Sequence, residues 1–216
     1  MNIYKIYIPK SIITLTILAV TLSILRFVIW GKISFFYILW NILLAFIPFI
    51  ISSLLLIFLK EKKYNRIIFF IGIFLWIIFI PNAPYIITDF IHLGTTRSIP
   101  IIYDTLLLFS SASVGLILGF HSLFHIEQII NIKYKRNMTS LVMIIILIMI
   151  SFGLYLGRFL RFNSWDIFIN HTSLIKNIWV IFSQSAGHTE VYFYTGLFFF
   201  SLYLSYNAWK YSNLKE

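Results

Sequence analysis

Long apolar stretches separated by short polar segments make up most of the chain. A helix that crosses a membrane needs about 20 predominantly apolar residues, and six stretches have this character. The pattern predicts an all-α fold, a polytopic transmembrane helix bundle of about six spans that forms one integral membrane domain over residues 1–216. The predicted spans are 11–30, 34–59, 67–86, 101–124, 139–157 and 190–209, and the amphipathic stretch 173–182 predicts a helix on the membrane surface.

The third predicted span is interrupted. Its uninterrupted apolar stretch runs from Ile67 to Ile80, which is about 14 residues or roughly 21 Å of helix. This length is shorter than the hydrocarbon core of about 30 Å, so the segment that follows must contribute to the crossing. That segment contains Pro81 and Pro84, which lack a backbone N–H and disfavour a straight helix. The sequence therefore predicts a kink or break at membrane depth.

Composition agrees with a membrane protein. Hydrophobic residues make up 60% of the 216 residues and charged residues only 11%, whereas soluble domains carry about 25% charged residues. The formal net charge of +10 would suggest nucleic acid as a partner of a soluble protein, but short basic loops set the orientation of a membrane protein. We therefore expect membrane lipids, and not nucleic acid, as partners. The chain has no Cys, which excludes disulfides and thiol catalysis.

The basic residues also predict an orientation. With six spans, one face of the membrane receives both termini and the loops after spans two and four. This face carries more Lys and Arg than the opposite face. Because cytoplasmic loops of membrane proteins carry such an excess, we predict that both termini are cytoplasmic.

A first polar cluster follows the interrupted span, on the predicted extracytoplasmic side. A helix that restarts at the second proline places Tyr85, Asp89 and His92 on one face, and Asn82 lies just before it. Asn82 and Tyr85 are candidates for binding a substrate or anion. An Asp and a His on one face can share a proton or bind a metal. The alternative is a helix cap with an interfacial Tyr and His, because two ligands are too few for most metal sites. Metal and cofactor requirements therefore stay unknown.

A second polar cluster follows span five. Arg158 and Arg161 lie one helical turn apart, and paired arginines suit a phosphate or carboxylate through bidentate hydrogen bonds. The alternative is that they reach lipid headgroups or pair with a nearby Asp. The same segment supplies three further candidates for substrate binding: Asn163, Trp165 and Asp166.

Span six begins with two more candidates for substrate or anion binding, His188 and Glu190. An acid in the first turn of a helix also has a simpler explanation, because the helix dipole favours it there. Two other histidines, His121 and His125, lie four residues apart on span four. They lack the Glu of the zinc-protease pattern, so we interpret both as interfacial.

Small residues predict close packing of spans four and five. They recur every four positions over 111–119 of span four and over 153–157 of span five. This spacing lets membrane helices approach closely. Asp104 and Arg161 extend these two faces toward the same membrane boundary, which predicts that their side chains approach each other.

Two long motifs, over residues 81–93 and 157–166, and the pair Tyr103-Asp104 between them resemble a known family. It is a bacterial family of predicted membrane proteins, catalogued as domain of unknown function 1361, and the resemblance covers nearly the whole chain. It implies a multi-span protein of the bacterial cytoplasmic membrane. It supplies no reaction, so no catalytic residue is transferred from it.

Two functions of different classes fit these features. The first is a membrane enzyme that acts at the extracytoplasmic face on an anionic, lipid-linked or cell-envelope substrate. Asp89, His92 and Asp104 would be its catalytic groups, and the two arginines would hold the anionic headgroup. The second is a small transporter, or the membrane subunit of a transport or assembly complex, which the interrupted third span favours. A structural partner without chemistry is a third possibility.

Overall fold

The computed structural model describes residues 8–61, 65–94, 98–133, 136–183 and 189–213. Within these residues the regular structure is entirely helical. Five helical segments are long and apolar enough to cross a membrane: Lys10–Trp30, Tyr37–Glu61, Arg66–His92, Ile101–Ile132 and Met138–Phe159. These features confirm the predicted class, an all-α polytopic membrane protein. Contacts divide the chain into two compact units, Met1–Ile132 and Lys133–Glu216.

The first unit begins with α1, Lys10–Trp30, and α2, Tyr37–Glu61. Helix α1 ends at Gly31, whose φ of 62° is the left-handed conformation that Gly adopts without steric cost. The Gly31 N–H donates to the carbonyl of Phe27 at 2.8 Å and closes the helix. The short turn that follows brings α2 back against α1.

The predicted break in the third span is confirmed. Helix α3, Arg66–Phe79, ends just before Pro81 and is followed by a single turn, α4, Asn82–Tyr85. The chain then continues as a 3₁₀-helix over Ile86–His92. Helix α2 packs against α3, α4 and this 3₁₀ segment.

Helix α5, Ile101–Lys133, packs closely against the broken segment. A Cβ atom at Gly115 would collide with the carbonyl oxygen of Ala83, and one at Gly119 would lie 3.2 Å from the Ala83 Cβ. The small residues of span four therefore make room for α4. Their predicted packing against span five joins the two units and stays a prediction.

The second unit contains α6, Arg136–Phe159, the short α7, Asp166–Ile169, then α8, His171–Ser183, and α9, Thr189–Asn213. Its small core is formed by Tyr155 of α6, Ile181 of α8 and Val191 of α9. Helix α9 coincides with the sixth predicted span but is not among the five candidate spans. The sixth crossing, the single domain and the surface position of α8 stay predictions.

Candidate functional site

Asp89 is a buried carboxylate in the 3₁₀ segment, with 1% of the residue exposed. It accepts a hydrogen bond of 3.1 Å from Nδ2 of Asn41 in α2. The ring of Tyr37, one turn earlier on α2, packs edge-on against His92 with centroids 6.3 Å apart. We refer to Tyr37, Asn41, Asp89 and His92 as the Asp89 cluster.

The 3₁₀ conformation changes which side chains share a face. Side chains three residues apart eclipse in a 3₁₀-helix, so Ile86, Asp89 and His92 form one row. The predicted row of Tyr85 with Asp89 and His92 assumed 3.6 residues per turn and is wrong in this respect. Tyr85 falls in a different row, together with Thr88, whose Oγ1 donates a hydrogen bond of 2.7 Å to the Tyr85 carbonyl. Asp89 and His92 lie on one row, as predicted, and Tyr85 is not aligned with them.

Asn82 lies at the break itself, half-buried. Its Nδ2 donates a hydrogen bond of 2.9 Å to the carbonyl of Phe79. That carbonyl would accept from Ala83 N–H in a continuous α-helix, but Ala83 N–H donates to Ile80 instead. The Asn82 side chain therefore replaces a backbone donor that the break removes, which gives it a structural role beside the predicted binding role.

Asp104, near the start of α5, has a partner that was not predicted. Arg26 of α1 donates from Nε to one carboxylate oxygen at 2.8 Å and from Nη2 to the other at 3.2 Å. Both residues are buried, with 1% and 2% exposed. The fork of a guanidinium on both oxygens of a carboxylate is the strongest geometry for such a pair.

The rest of the Arg26 guanidinium is also held. Nη1 donates to Ser34 Oγ at 2.9 Å and to the Lys32 carbonyl at 3.3 Å. The ring of Phe35 lies 4.4 Å from the guanidinium carbon. These contacts tie α1, the turn after it and α5 together. The predicted approach of Asp104 to Arg161 joins the two compact units and stays a prediction.

The polar turn of the second unit, residues 160–166, follows α6. Asp166 is buried, and its Oδ2 accepts a hydrogen bond of 2.6 Å from the backbone N–H of Asn163. The Asp166 N–H in turn donates to the Asn163 carbonyl at 3.0 Å. Arg158, in the last turn of α6, and Trp165, within the polar turn, are half-buried, and Arg161 is exposed. The structure thus brings Asn163 and Asp166 together as a closed turn.

Of the two predicted candidates at the start of span six, the structure describes Glu190. Glu190 is exposed in the first turn of α9. A carboxylate there interacts favourably with the helix dipole. His188 lies outside the described residues. Glu190 belongs to the second unit together with the polar turn, and its role in binding stays a prediction.

A polar network inside the first unit was not predicted. Nδ1 of His125 in α5 lies 3.2 Å from Ser52 Oγ and 3.3 Å from Ser53 Oγ in α2. One turn earlier, Ser122 Oγ lies 3.0 Å from Ser52 Oγ and accepts a hydrogen bond of 2.7 Å from Trp76 Nε1 in α3. The interfacial interpretation of His125 missed this network. The available signal was the spacing of Ser122 and His125, which places them on one helix face opposite two adjacent serines in another apolar span.

These groups define what the first unit can do chemically. The Asp89 cluster offers a carboxylate and an imidazole that can bind and release protons. Arg26 donates to both carboxylate oxygens of Asp104, so this pair stabilises the packing of α1 against α5. Among the residues that the structure describes, no three His, Asp or Glu side chains come together in a way that could hold a metal ion.

Comparison with known proteins adds the family. No curated protein and no solved structure gives a significant match to the chain. A family model described as "Protein of unknown function (DUF1361)" matches residues 40–204, which is well over half of the chain. The Asp89 cluster apart from Tyr37 and the whole polar turn lie inside the match, whereas Arg26 precedes it. The chain therefore belongs to the DUF1361 family, the same family that its motifs resemble.

Proposed function

We propose that this protein is a multi-pass membrane enzyme that acts on an anionic, lipid-linked or cell-envelope substrate at the extracytoplasmic face of a bacterial cytoplasmic membrane. One observation carries the proposal. A carboxylate that is 1% exposed shares a 3₁₀ row with an imidazole, next to a break in an apolar helix. Ionisable groups within apolar spans are costly, and they commonly mark functional sites.

The proposed roles follow from the chemistry of each group. His92 transfers the proton, because an imidazole gains and loses a proton readily near neutral pH. Asp89, fixed by Asn41, orients His92. In the second unit, considered by itself, Arg158 and Arg161 bind an anionic group. Asp104 is placed outside the catalytic set, because Arg26 donates to both of its carboxylate oxygens.

The proposed orientation has both termini in the cytoplasm. The excess of Lys and Arg on the terminal face supports it. Because the chain has no Cys, single cysteines can be introduced without removing native ones. A cysteine at exposed Ser98 should react with a membrane-impermeant maleimide in intact cells, and a cysteine at exposed Ser212 should react only after lysis. The opposite labelling pattern would reverse the orientation.

The acid–base pair is tested by Asp89→Asn, which keeps the side chain's size and removes its charge. A strain that lacks the protein is complemented with wild type, Asp89→Asn or Glu61→Gln, an acid-to-amide control at the end of α2. Envelope lipids are then compared by mass spectrometry. We expect a lipid-linked species that accumulates in the deletion strain to be consumed with wild type and the control, and to persist with Asp89→Asn. Equal consumption by Asp89→Asn at the same membrane level refutes the role of Asp89.

A small transporter is the second candidate. The hydroxyl and imidazole network around His125 supports it, because carriers need polar groups along the span as well as at one end. The two candidates differ in what happens to the accumulating species. An enzyme changes its mass, whereas a transporter changes only the membrane face on which it is found. His125→Phe should spare the activity of an enzyme and abolish that of a transporter.

A further inference from the structure

Arg161 adopts a backbone conformation that is costly for an arginine. Its φ is 59°, and it is the one non-glycine residue with positive φ among the described parts of the chain. Glycine usually occupies such a position just after a helix, because its missing Cβ removes the steric cost. The conformation is imposed by the turn, in which Phe162 N–H donates to the Leu156 carbonyl at 3.1 Å. A glycine would satisfy the same turn with less strain.

Within the part of the chain that the structure describes, the Arg161 side chain does not help to close the turn. The turn is closed by Asn163 and Asp166, which bond to each other in both directions. Arg161 itself is exposed, and within the described residues its guanidinium forms no hydrogen bond or ion pair. Strained residues of this kind persist where the side chain serves a function. An exposed guanidinium carried on a strained backbone suggests that Arg161 has a binding role.

We infer that Arg161 binds a phosphate group, carried either by a lipid headgroup or by a soluble phosphate compound. A guanidinium matches phosphate oxygens with two parallel hydrogen bonds. Arg161 follows the apolar helix α6, and the same unit exposes Ile175, Trp179 and Phe182 on α8. An exposed apolar face with a Trp suits the headgroup level of a membrane, where phosphate is the abundant anion.

The inference rests on the proposed function and names the anion that its substrate would present. The closed turn explains how one exposed arginine can be selective, because it fixes the backbone that carries the side chain. Flexible surface cations lack this preorganisation and lose more entropy on binding. Lys176 on α8 is an exposed cation in the same unit that lacks the strained backbone of Arg161, and it serves as the matched control.

The test compares Arg161→Gly, Arg161→Ala and Lys176→Gln with the wild-type protein in neutral maltoside micelles. Calorimetric titrations use dioctanoyl phosphatidylglycerol in one arm and inorganic phosphate in the other. We expect both Arg161 variants to bind at least about tenfold more weakly, since a charge-assisted hydrogen-bonded pair is lost. Lys176→Gln should bind like wild type. Binding of the lipid alone assigns a headgroup, and binding of inorganic phosphate assigns a soluble compound or a free phosphate end.

Melting temperatures separate binding from folding in the same samples. Arg161→Gly should melt about 2–4 °C above Arg161→Ala, because only glycine relieves the strain. Equal phosphate affinity in wild type and Arg161→Gly overturns the inference, as does the absence of binding by wild type in both arms. A lower melting temperature for Arg161→Gly than for Arg161→Ala also overturns it, by removing the argument from strain.

The same assay distinguishes this inference from the proposed reaction. Asp89→Asn should keep full phosphate affinity while losing activity in cells. If Asp89→Asn retains activity and Arg161→Gly still loses binding, the reaction is wrong and the phosphate site stands. If Asp89→Asn is inactive and Arg161→Gly binds normally, the phosphate site is wrong and the reaction stands.

Discussion

Removing the carboxylate of Asp104 should destabilise the first unit severely. Asp104→Ala leaves the Arg26 guanidinium buried at 1% exposure without the two oxygens that receive Nε and Nη2. Asp104→Asn keeps one acceptor oxygen but turns an NH2 group toward a guanidinium that also only donates, so it should be nearly as damaging.

The magnitude follows from the bonds that are lost. Two hydrogen bonds to a charged group, at about 1.5–3 kcal/mol each, amount to about 3–6 kcal/mol. Breaking a buried ion pair by removing one partner costs a similar amount, about 3–5 kcal/mol. With roughly 2–4 °C lost per kcal/mol for a chain of this size, a cost of about 4 kcal/mol lowers the melting temperature by about 8–16 °C.

The assay is thermal unfolding in detergent followed by intrinsic Trp fluorescence, which suits a chain with six Trp and no Cys. A double variant, Arg26→Met with Asp104→Leu, replaces the pair by apolar side chains of similar shape. It should recover most of the lost stability, because no charge is then left buried. The reasoning is refuted if Asp104→Ala melts within about 2 °C of wild type, a shift worth roughly 1 kcal/mol or less. It is equally refuted if the double variant loses the sum of the two single losses.

Two further predictions concern packing in each unit and the internal network. Gly115→Ala should lower the free energy of unfolding by about 1–3 kcal/mol, because its Cβ would meet the Ala83 carbonyl. Gly196→Ala on α9 is the matched control, because a Cβ added there would meet no atom within 4 Å beyond its own helix backbone. This substitution should raise the free energy of unfolding by about 0.5–1 kcal/mol. Trp76→Phe should cost about 1–3 kcal/mol by leaving Ser122 without its donor, and a melting curve like that of wild type would contradict this.

Local features of this fold could be predicted from the sequence, and long-range partners could not. The break after α3 was predictable because Pro81 and Pro84 act on their own backbone and the apolar stretch before them is too short. Two polar residues inside apolar spans, Arg26 and Asn41, mark positions that need a partner. Their partners lie 78 and 48 residues away along the chain. The local spacing of residues does not identify a partner so far away along the chain.

In the candidate site, too, some features could be predicted from the sequence and others could not. The sequence predicted that Asp89 and His92 share a helix face, and in the structure they lie on one row of the 3₁₀-helix. It could not distinguish a 3₁₀ from an α-helical row, because hydrophobic periodicity over seven residues does not separate 3.0 from 3.6 residues per turn. The prediction that Asp104 is catalytic rested on its position at the end of a span, and its partner Arg26 was not foreseen. An acid at a span end looks alike whether it faces a substrate or an arginine from another helix.

The 3₁₀ segment also sets a length. Its seven residues rise about 14 Å, whereas an α-helix of seven residues rises about 10.5 Å. Winding this segment into an α-helix would draw its far end in by about 3.5 Å and turn His92 by about 60° away from Asp89. The position of the end of this segment and the alignment of Asp89 with His92 therefore change together. Tension on the chain after His92 favours the longer 3₁₀ conformation and keeps Asp89 and His92 aligned, whereas compression favours the α-helix and separates them.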